Sequence, residues 1–267
     1  MAMIGKRLTK LLLGAGLALG LAACGGGGGG GSYGVRQGHG EGPTFADVSP
    51  VSWSRRAPWT YPVHGVDVSR WQGNIDWFKA RNAGVSFVFI KATEGGDVAD
   101  PMFLTHWNDT ARANIARGAY HFYYFCRTPE EQARWFIRHV PRSSGQLPPV
   151  LDIEWTNSRN CPGRPSAATV RDHIVRFSSV IQAHYGQPPI IYTTPDFYED
   201  NGLGRIRAEY WLRSVADHPS VRYPQERWTF WQYTGTGIVP GIGKTDINVF
   251  AGSIPTYQRW LKQRTVR

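Results

Sequence analysis

At 267 residues, of which 41% are hydrophobic, the chain has an ordinary globular composition and enough apolar side chains for one large domain or two small ones. Its net charge of +10 favours an anionic partner, but no Lys/Arg-rich run of nucleic-acid type occurs. Nucleic acid is therefore set aside, leaving an acidic membrane surface, a carboxylate-bearing polymer or plain solubility as the reason for the charge.

Lys6, Arg7 and Lys10 give the chain a positive start, and residues 11–23 form an apolar run too short for a comfortable membrane span. That run ends in Leu21-Ala22-Ala23-Cys24, which resembles a bacterial lipobox, where the Cys is lipidated and becomes the new N-terminus. An unbroken glycine run over 25–31 follows, suited to a flexible tether. The expected organisation is a lipoprotein signal peptide over 1–23, a lipidated Cys24 with a Gly-rich linker over 24–60, and one domain over 61–267. Loss of the first segment lowers the charge by three, to +7. A chain of this kind is exported and membrane-anchored, facing the periplasm or at the outer membrane, since Gly25 and not Asp follows the anchor. Export puts Cys126 and Cys161 in an oxidising compartment, where a disulfide is expected. No His/Cys set has zinc spacing and no phosphate-loop glycine pattern occurs, so neither metal nor cofactor is expected, and a monomer is.

Beyond the linker, strand-like runs at 63–68, 85–91, 117–125, 148–154 and 188–193 alternate with helix-like patterns at 74–83, 101–116, 129–140 and 167–185. In the last of these Val170, Ile174, Phe177 and Ile181 recur at helical spacing. Such alternation predicts a parallel α/β sheet. Three further strands follow at 209–214, 228–233 and 246–250. The last two are joined by TGTGIVPGIGKT, which holds no helix, whereas a parallel crossover usually needs one. An antiparallel pair is predicted there. Eight strands, five followed by helices or helical turns, predict an irregular barrel; an open doubly wound sheet is the alternative.

Barrels of parallel strands gather their sites at the strands' C-terminal ends. Asp152 and Glu154 end the fourth strand and, being two apart, share a face, while Leu151 and Ile153 take the other. Two inward carboxylates would burden a core that needed only packing. Asp67 sits likewise between Val66 and Val68, and Asp246 opens the last strand. If that strand is antiparallel, all four converge, and repulsion raises at least one pKa, as a general acid requires. Alternatively Asp67 or Asp246 is an ion-pair partner, for instance of Lys91. His64 and His121 read as hydrogen-bonded core residues.

The stretches HGVDVSRWQGNIDW (64–77), FVFIKATEG (87–95), GAYHFYYF (118–125), PVLDIE (149–154), YTTPDFY (192–198), WQYTGTGIVPGI (231–242) and DINVF (246–250) resemble glycoside hydrolase family 25, the lysozyme-type muramidases of bacteria and phages. The resemblance spans about residues 61–261 and implies a (β/α)5β3 TIM-like barrel as a single catalytic domain. It implies cleavage of the β-1,4 bond from N-acetylmuramic acid to N-acetylglucosamine in peptidoglycan glycan strands. Glu154 then matches the proton donor, with Asp152, Asp67 and Asp246 as the other catalytic carboxylates. A glycosidase needs an acid for the leaving oxygen and a partner for the oxocarbenium-like centre. The i, i+2 spacing sets two Cα atoms roughly 6.5–7 Å apart, within reach of one linkage. Either the substrate's acetamido oxygen attacks with Asp152 orienting it, or Asp152 or Asp246 serves as nucleophile or base. Tyr123, Tyr192, Trp211, Trp231 and Gln232 are candidates for sugar binding, and Lys91 and Glu94 for ordering the carboxylates. A lipoprotein that holds peptidoglycan without cutting it, and a hydrolase of another amino-sugar polymer such as chitin, are the competing functions.

Overall fold

Residues 43–267, other than 54, 157, 159 and 160, are described by the computed structural model. The expected signal peptide, Cys24 and the glycine run fall outside the described residues. Ten strands occur among them: β1 (Ala46–Asp47), β2 (His64–Val68), β3 (Val85–Glu94), β4 (Val98–Ala99), β5 (Ala116–Phe122), β6 (Val150–Asp152), β7 (Ile190–Thr193), β8 (Glu209–Arg213), β9 (Phe230–Val239) and β10 (Gly243–Phe250). The helices are α1 (Trp77–Asn82), α2 (Phe103–Arg112), α3 (Pro129–His139), α4 (Ala167–Tyr185), α5 (Pro195–Asn201), α6 (Pro219–Arg222) and α7 (Ile254–Arg264).

Eight of the strands close into a barrel in the order β9-β10-β2-β3-β5-β6-β7-β8, sealed by β8 on β9. Pairing is parallel from β2 through to β9 and antiparallel at β9–β10 and β10–β2. The irregular barrel is thus the fold, and the open sheet is not. Only the short α6 separates β8 from its parallel neighbour β9. The helix-free TGTGIVPGIGKT segment becomes the distal half of a long hairpin, since β9 runs to Val239 and β10 begins at Gly243. Its tip rests on the start of α1, where Asp76 N–H donates to the Gly241 carbonyl at 2.9 Å. Gly241 has φ +90°, and a Cβ there would strike the Asp76 carbonyl. No other residue fits that position without strain.

Alternation along the strands sorts the core into two layers. On β3, Val88 and Ile90 face the helices, while Phe87 and Phe89 fill the barrel with Trp211, Phe230 and Phe250. Phe89 stacks on Trp211 with centroids 4.7 Å apart. These rings plug the lower half, so the polar groups of the interior are confined to the end where the parallel strands finish. At the other end α7 acts as a floor: Tyr257 lies 5.1 Å from Phe250, and Trp260 lies 5.2 Å from Phe230.

The folded body starts earlier than the predicted linker boundary at 60. β1 pairs with β9 at Ala46↔Ile238 and Asp47↔Gly237, Phe45 joins the outer core, and Trp53 packs edge-on against Trp231 at 5.1 Å. A two-residue strand and isolated aromatics carry no periodicity, which is why composition alone reads this stretch as linker.

Candidate active site

β6 is only three residues long, yet its ladder continues beyond Asp152. Tyr123 N–H donates to the Asp152 carbonyl at 2.9 Å, and Ile153 N–H donates to the Tyr192 carbonyl at 3.0 Å. The chain stays extended, so Leu151 and Ile153 are buried under the helices and Glu154 returns to the side of Asp152. Asp67 and Asp246 stand directly opposite one another on β2 and β10. The four carboxylates line one cleft of about 490 Å³, together with Lys91, Trp71, Tyr192, Trp211, Arg213 and Gln232.

Asp67 sits at the hub of a hydrogen-bonded chain. Its Oδ2 accepts from Gln232 Nε2 at 3.0 Å and from Asn248 Nδ2 at 2.7 Å. Tyr192 Oη donates to Gln232 Oε1 at 2.8 Å, and Trp211 Nε1 donates to Asn248 Oδ1 at 2.7 Å. Tyr192, Trp211 and Gln232 therefore hold this carboxylate in the free protein. Burial, and then the charge of Asp246, push its pKa well up, against those hydrogen bonds. Asp152 is raised by burial and by Glu154, with Lys91 opposing. Its buried Oδ1 has no hydrogen-bond partner among the described residues, which marks an acceptor facing a donor that the protein does not supply.

Burial lifts Glu154 to about 7, with Arg213 pulling the other way and Asp196 and Asp246 adding to the rise. Asp246 reaches about 6 through burial, again opposed by Arg213. Lys91 pairs with Glu94 at 2.6 Å and not with Asp67 or Asp246. Glu94 also accepts from Tyr124 Oη at 2.5 Å. Burial alone would raise the Glu94 pKa, but the bonds from Lys91 and Tyr124 hold it low. One ion pair beside four carboxyls that resist ionisation is an acid–base site poised near neutrality.

Two of the aromatics expected to bind sugar face elsewhere. Phe122 takes the inward position, so its neighbour Tyr123 points to the helices and hydrogen-bonds His173 Nδ1 at 2.9 Å. Gln232 points inward, so Trp231 points out, fully buried against Trp53, with its Nε1 donating to the Ser214 carbonyl at 2.8 Å. Adjacent strand residues cannot both face the cleft. His64 and His121 are buried, each with a pKa lowered by burial to about 4, and His121 bridges Thr93 at 2.8 Å and Gln132 at 3.1 Å.

Residues that the sequence reading missed also line the cleft. Trp71, 78% exposed, rides on the helical turn Arg70–Gln72, which the Ser69/Gln72 capping box starts, and the Arg70 guanidinium lies 4.8 Å from its ring. Arg213 is two residues beyond inward Trp211, so the period of two marked it. Nothing local marked Trp71, nor Asn248, which is fully buried and bonds Asp67 without lining the cleft. Cys126 and Cys161 form the expected disulfide, with Cα atoms 5.5 Å apart, tying the loop after β6 to the end of the segment after β5.

Arg213 supplies a direct check on the acid. If Glu154 must be protonated to act, activity is lost as pH rises through about 7. Removing the cation that lowers this pKa raises it, so Arg213→Gln should move the alkaline limb of kcat/KM upward by about one unit. A limb that stays in place, measured on the folded variant, would disconnect Arg213 from the acid.

Comparison with known proteins agrees with this geometry. The family model described as "Glycosyl hydrolases family 25" matches residues 66–242. Lysozyme M1 of Streptomyces globisporus is 34% identical over 230 residues, covering 82% of this chain and 76% of that protein. Among solved structures, a family 25 glycosyl hydrolase from Bacillus anthracis superposes with a TM-score of 0.68 at 35% identity, covering 75% of this chain and 94% of that one. The bacterial lysozyme from Streptomyces coelicolor superposes with a TM-score of 0.66 at 35% identity, covering 76% and 96%. Barrel, carboxylate cleft and relatives converge: the chain belongs to glycoside hydrolase family 25 and is a glycoside hydrolase.

Proposed function

We propose that this hydrolase is a muramidase, cutting peptidoglycan at the β-1,4 bond from N-acetylmuramic acid to N-acetylglucosamine, with Glu154 as proton donor. The observation that carries the reading is the half-buried Glu154 carboxyl beside Asp152 in a cleft lined by four carboxyl groups, where burial lifts its pKa to about 7. Glu154 gives its proton to the departing O4 of the glucosamine as the C1–O4 bond breaks. The acetamido oxygen of the muramyl residue forms the new bond to C1. Water, losing a proton to Glu154, then opens the resulting ring and restores the acid. The partnerless Oδ1 of Asp152 supports this route, because it can accept the acetamido N–H and keep the oxygen aimed at C1. Digestion of purified peptidoglycan with analysis of new reducing ends tests the reading. Muramic acid ends are expected; glucosamine ends, or no cleavage at all, would contradict it. Peptidoglycan stripped of its N-acetyl groups should resist cleavage, and cutting at an undiminished rate would favour Asp152 or Asp246 as nucleophile or base.

The lipobox sequence and the Cys126–Cys161 disulfide support an exported enzyme, tethered through lipidated Cys24, monomeric and facing the periplasm or at the outer membrane. Cys24→Ser is expected to release the protein into the soluble fraction of its host. Sedimentation of that variant with membranes after a high-salt wash would contradict the anchor.

A further inference from the structure

A second, smaller cavity of about 170 Å³ lies between the turn after β3 and the exposed face of α3, lined by Gly96, Arg127, Glu131, Arg134 and Arg138. Spacings of three and four put Glu131, Arg134 and Arg138 on one helical face, opposite the buried Gln132, Ala133 and Phe136. The carboxylates nearby are already engaged. Asp97 pairs with Arg127 at 3.2 Å, Glu130 with Arg176 at 2.7 Å, and Glu131 accepts from Thr128 N–H and Oγ1 at 3.0 Å each. Arg134 and Arg138 make no direct ion pair among the described residues, although the charge of Arg134 is felt by Glu130 and Glu131. Arg138 is nonetheless ordered: its guanidinium lies 5.0 Å from the Trp135 ring, and Trp135 Nε1 donates to the Val98 carbonyl at 2.8 Å.

We infer that this arginine cleft is an accessory site for a carboxylate on the peptide stems of peptidoglycan, and the inference rests on the muramidase reading. The volume is well below the roughly 300 Å³ at which small-molecule pockets begin, so it suits a single charged group and not a sugar residue. Guanidinium pairs recognise carboxylate and phosphate by their fork geometry. The position fits a substituent of a bound strand. Glu94, which bonds Lys91 of the active cleft, is followed directly by Gly95 and Gly96, and Gly95 N–H donates to the carbonyl of Phe122, a wall of that cleft, at 3.0 Å. Stems project from the same muramyl residues whose linkage is cut. Arg134 and Arg138, linked to the cleft wall through this turn, would therefore favour glycan that still bears peptide.

The test compares Arg134→Ala/Arg138→Ala with wild type on intact sacculi and on glycan strands freed of peptide by an amidase. Arg259→Ala/Lys262→Ala, which removes the same charge from α7 at the far end of the barrel, is the control. The expected result is a KM about five- to tenfold higher on sacculi at low salt, the effect of losing two partly exposed ion pairs, with unchanged cleavage of bare glycan and no effect of the control pair. Salt at ~0.5 M should close the gap by screening. Equal rates of variant and wild type on sacculi, or an equal loss in the control, would overturn the site. Sacculi treated to remove phosphate polymers should retain the loss; its disappearance there would overturn the carboxylate assignment in favour of phosphate. Failure of wild type to cut either substrate would instead remove the muramidase reading itself.

Discussion

Glu154→Gln is expected to fold normally, to lose at least about a hundredfold in turnover, and to melt at a higher temperature than wild type at pH 8. The rate loss is the usual scale for removing a general acid. The stability gain follows from the same burial. Folding lifts the Glu154 pKa from 4.5 to about 7, so the protonated form is favoured in the barrel. The stability carried by that proton is fully present below pH 4.5 and is lost as pH rises through about 7. At pH 8 the ionised carboxylate then costs the fold up to about 3 kcal/mol, which a neutral amide escapes. For a domain of this size that is several degrees in Tm. At pH 4 the difference should vanish. Activity assays on the refolded variant and melts at the two pH values check both halves. Turnover near wild type would remove Glu154 from the chemistry, and a lower Tm at pH 8 would show that the acid is not held against its ionisation.

A chain ending at 253 is expected to give no folded barrel, although it keeps every residue of the catalytic cleft. The aromatic plug of Phe87, Phe230 and Phe250 is covered from below by Tyr257 and Trp260, and without α7 that surface faces water. The segment also returns backbone bonds: Gly145 N–H donates to the Val266 carbonyl, and Val266 N–H to the Gln146 carbonyl, both at 2.9 Å. Arg264 pairs with Glu209 of β8 at 2.7 Å in a half-buried setting. Losing one buried aromatic costs about 3–5 kcal/mol, against about 5–15 kcal/mol for a whole domain. Tyr257→Ala alone should therefore lower the urea midpoint clearly, and the truncation should be insoluble or bind a hydrophobic dye when expressed. A soluble truncated chain with a wild-type midpoint would show that the floor is dispensable.

The strand–helix units were legible because each carries a clear period. Val170, Ile174, Phe177 and Ile181 mark α4 over its full length, Ala167–Tyr185, and the acidic i, i+2 pair marks the end of β6. What escaped were features fixed by distant partners. β1 exists through its bonds to β9, α7 through the barrel floor, and the orientation of Asn248 through Asp67 and Trp211. Taking both Trp231 and Gln232 as sugar binders, and Tyr123 next to inward Phe122, broke the period of two that served well elsewhere. Large aromatics at strand ends drew attention by type, whereas their direction was set by the residue next door.

The antiparallel seam between β2 and β10 also bears on the order in which the protein acquires its properties. Asp67, near the start of the domain, meets Asp246, near its end, only when this seam closes. Loop-closure entropy has to be overcome across nearly the whole domain before that contact forms, which makes it a slow, late event in folding. The parallel strand–helix units are built from contacts closer in sequence and can form before it. Until β10 docks, Asp246 stands apart from Asp67, Asp152 and Glu154. Hydrolytic competence therefore follows closure of the barrel seam and not the formation of its strand–helix units.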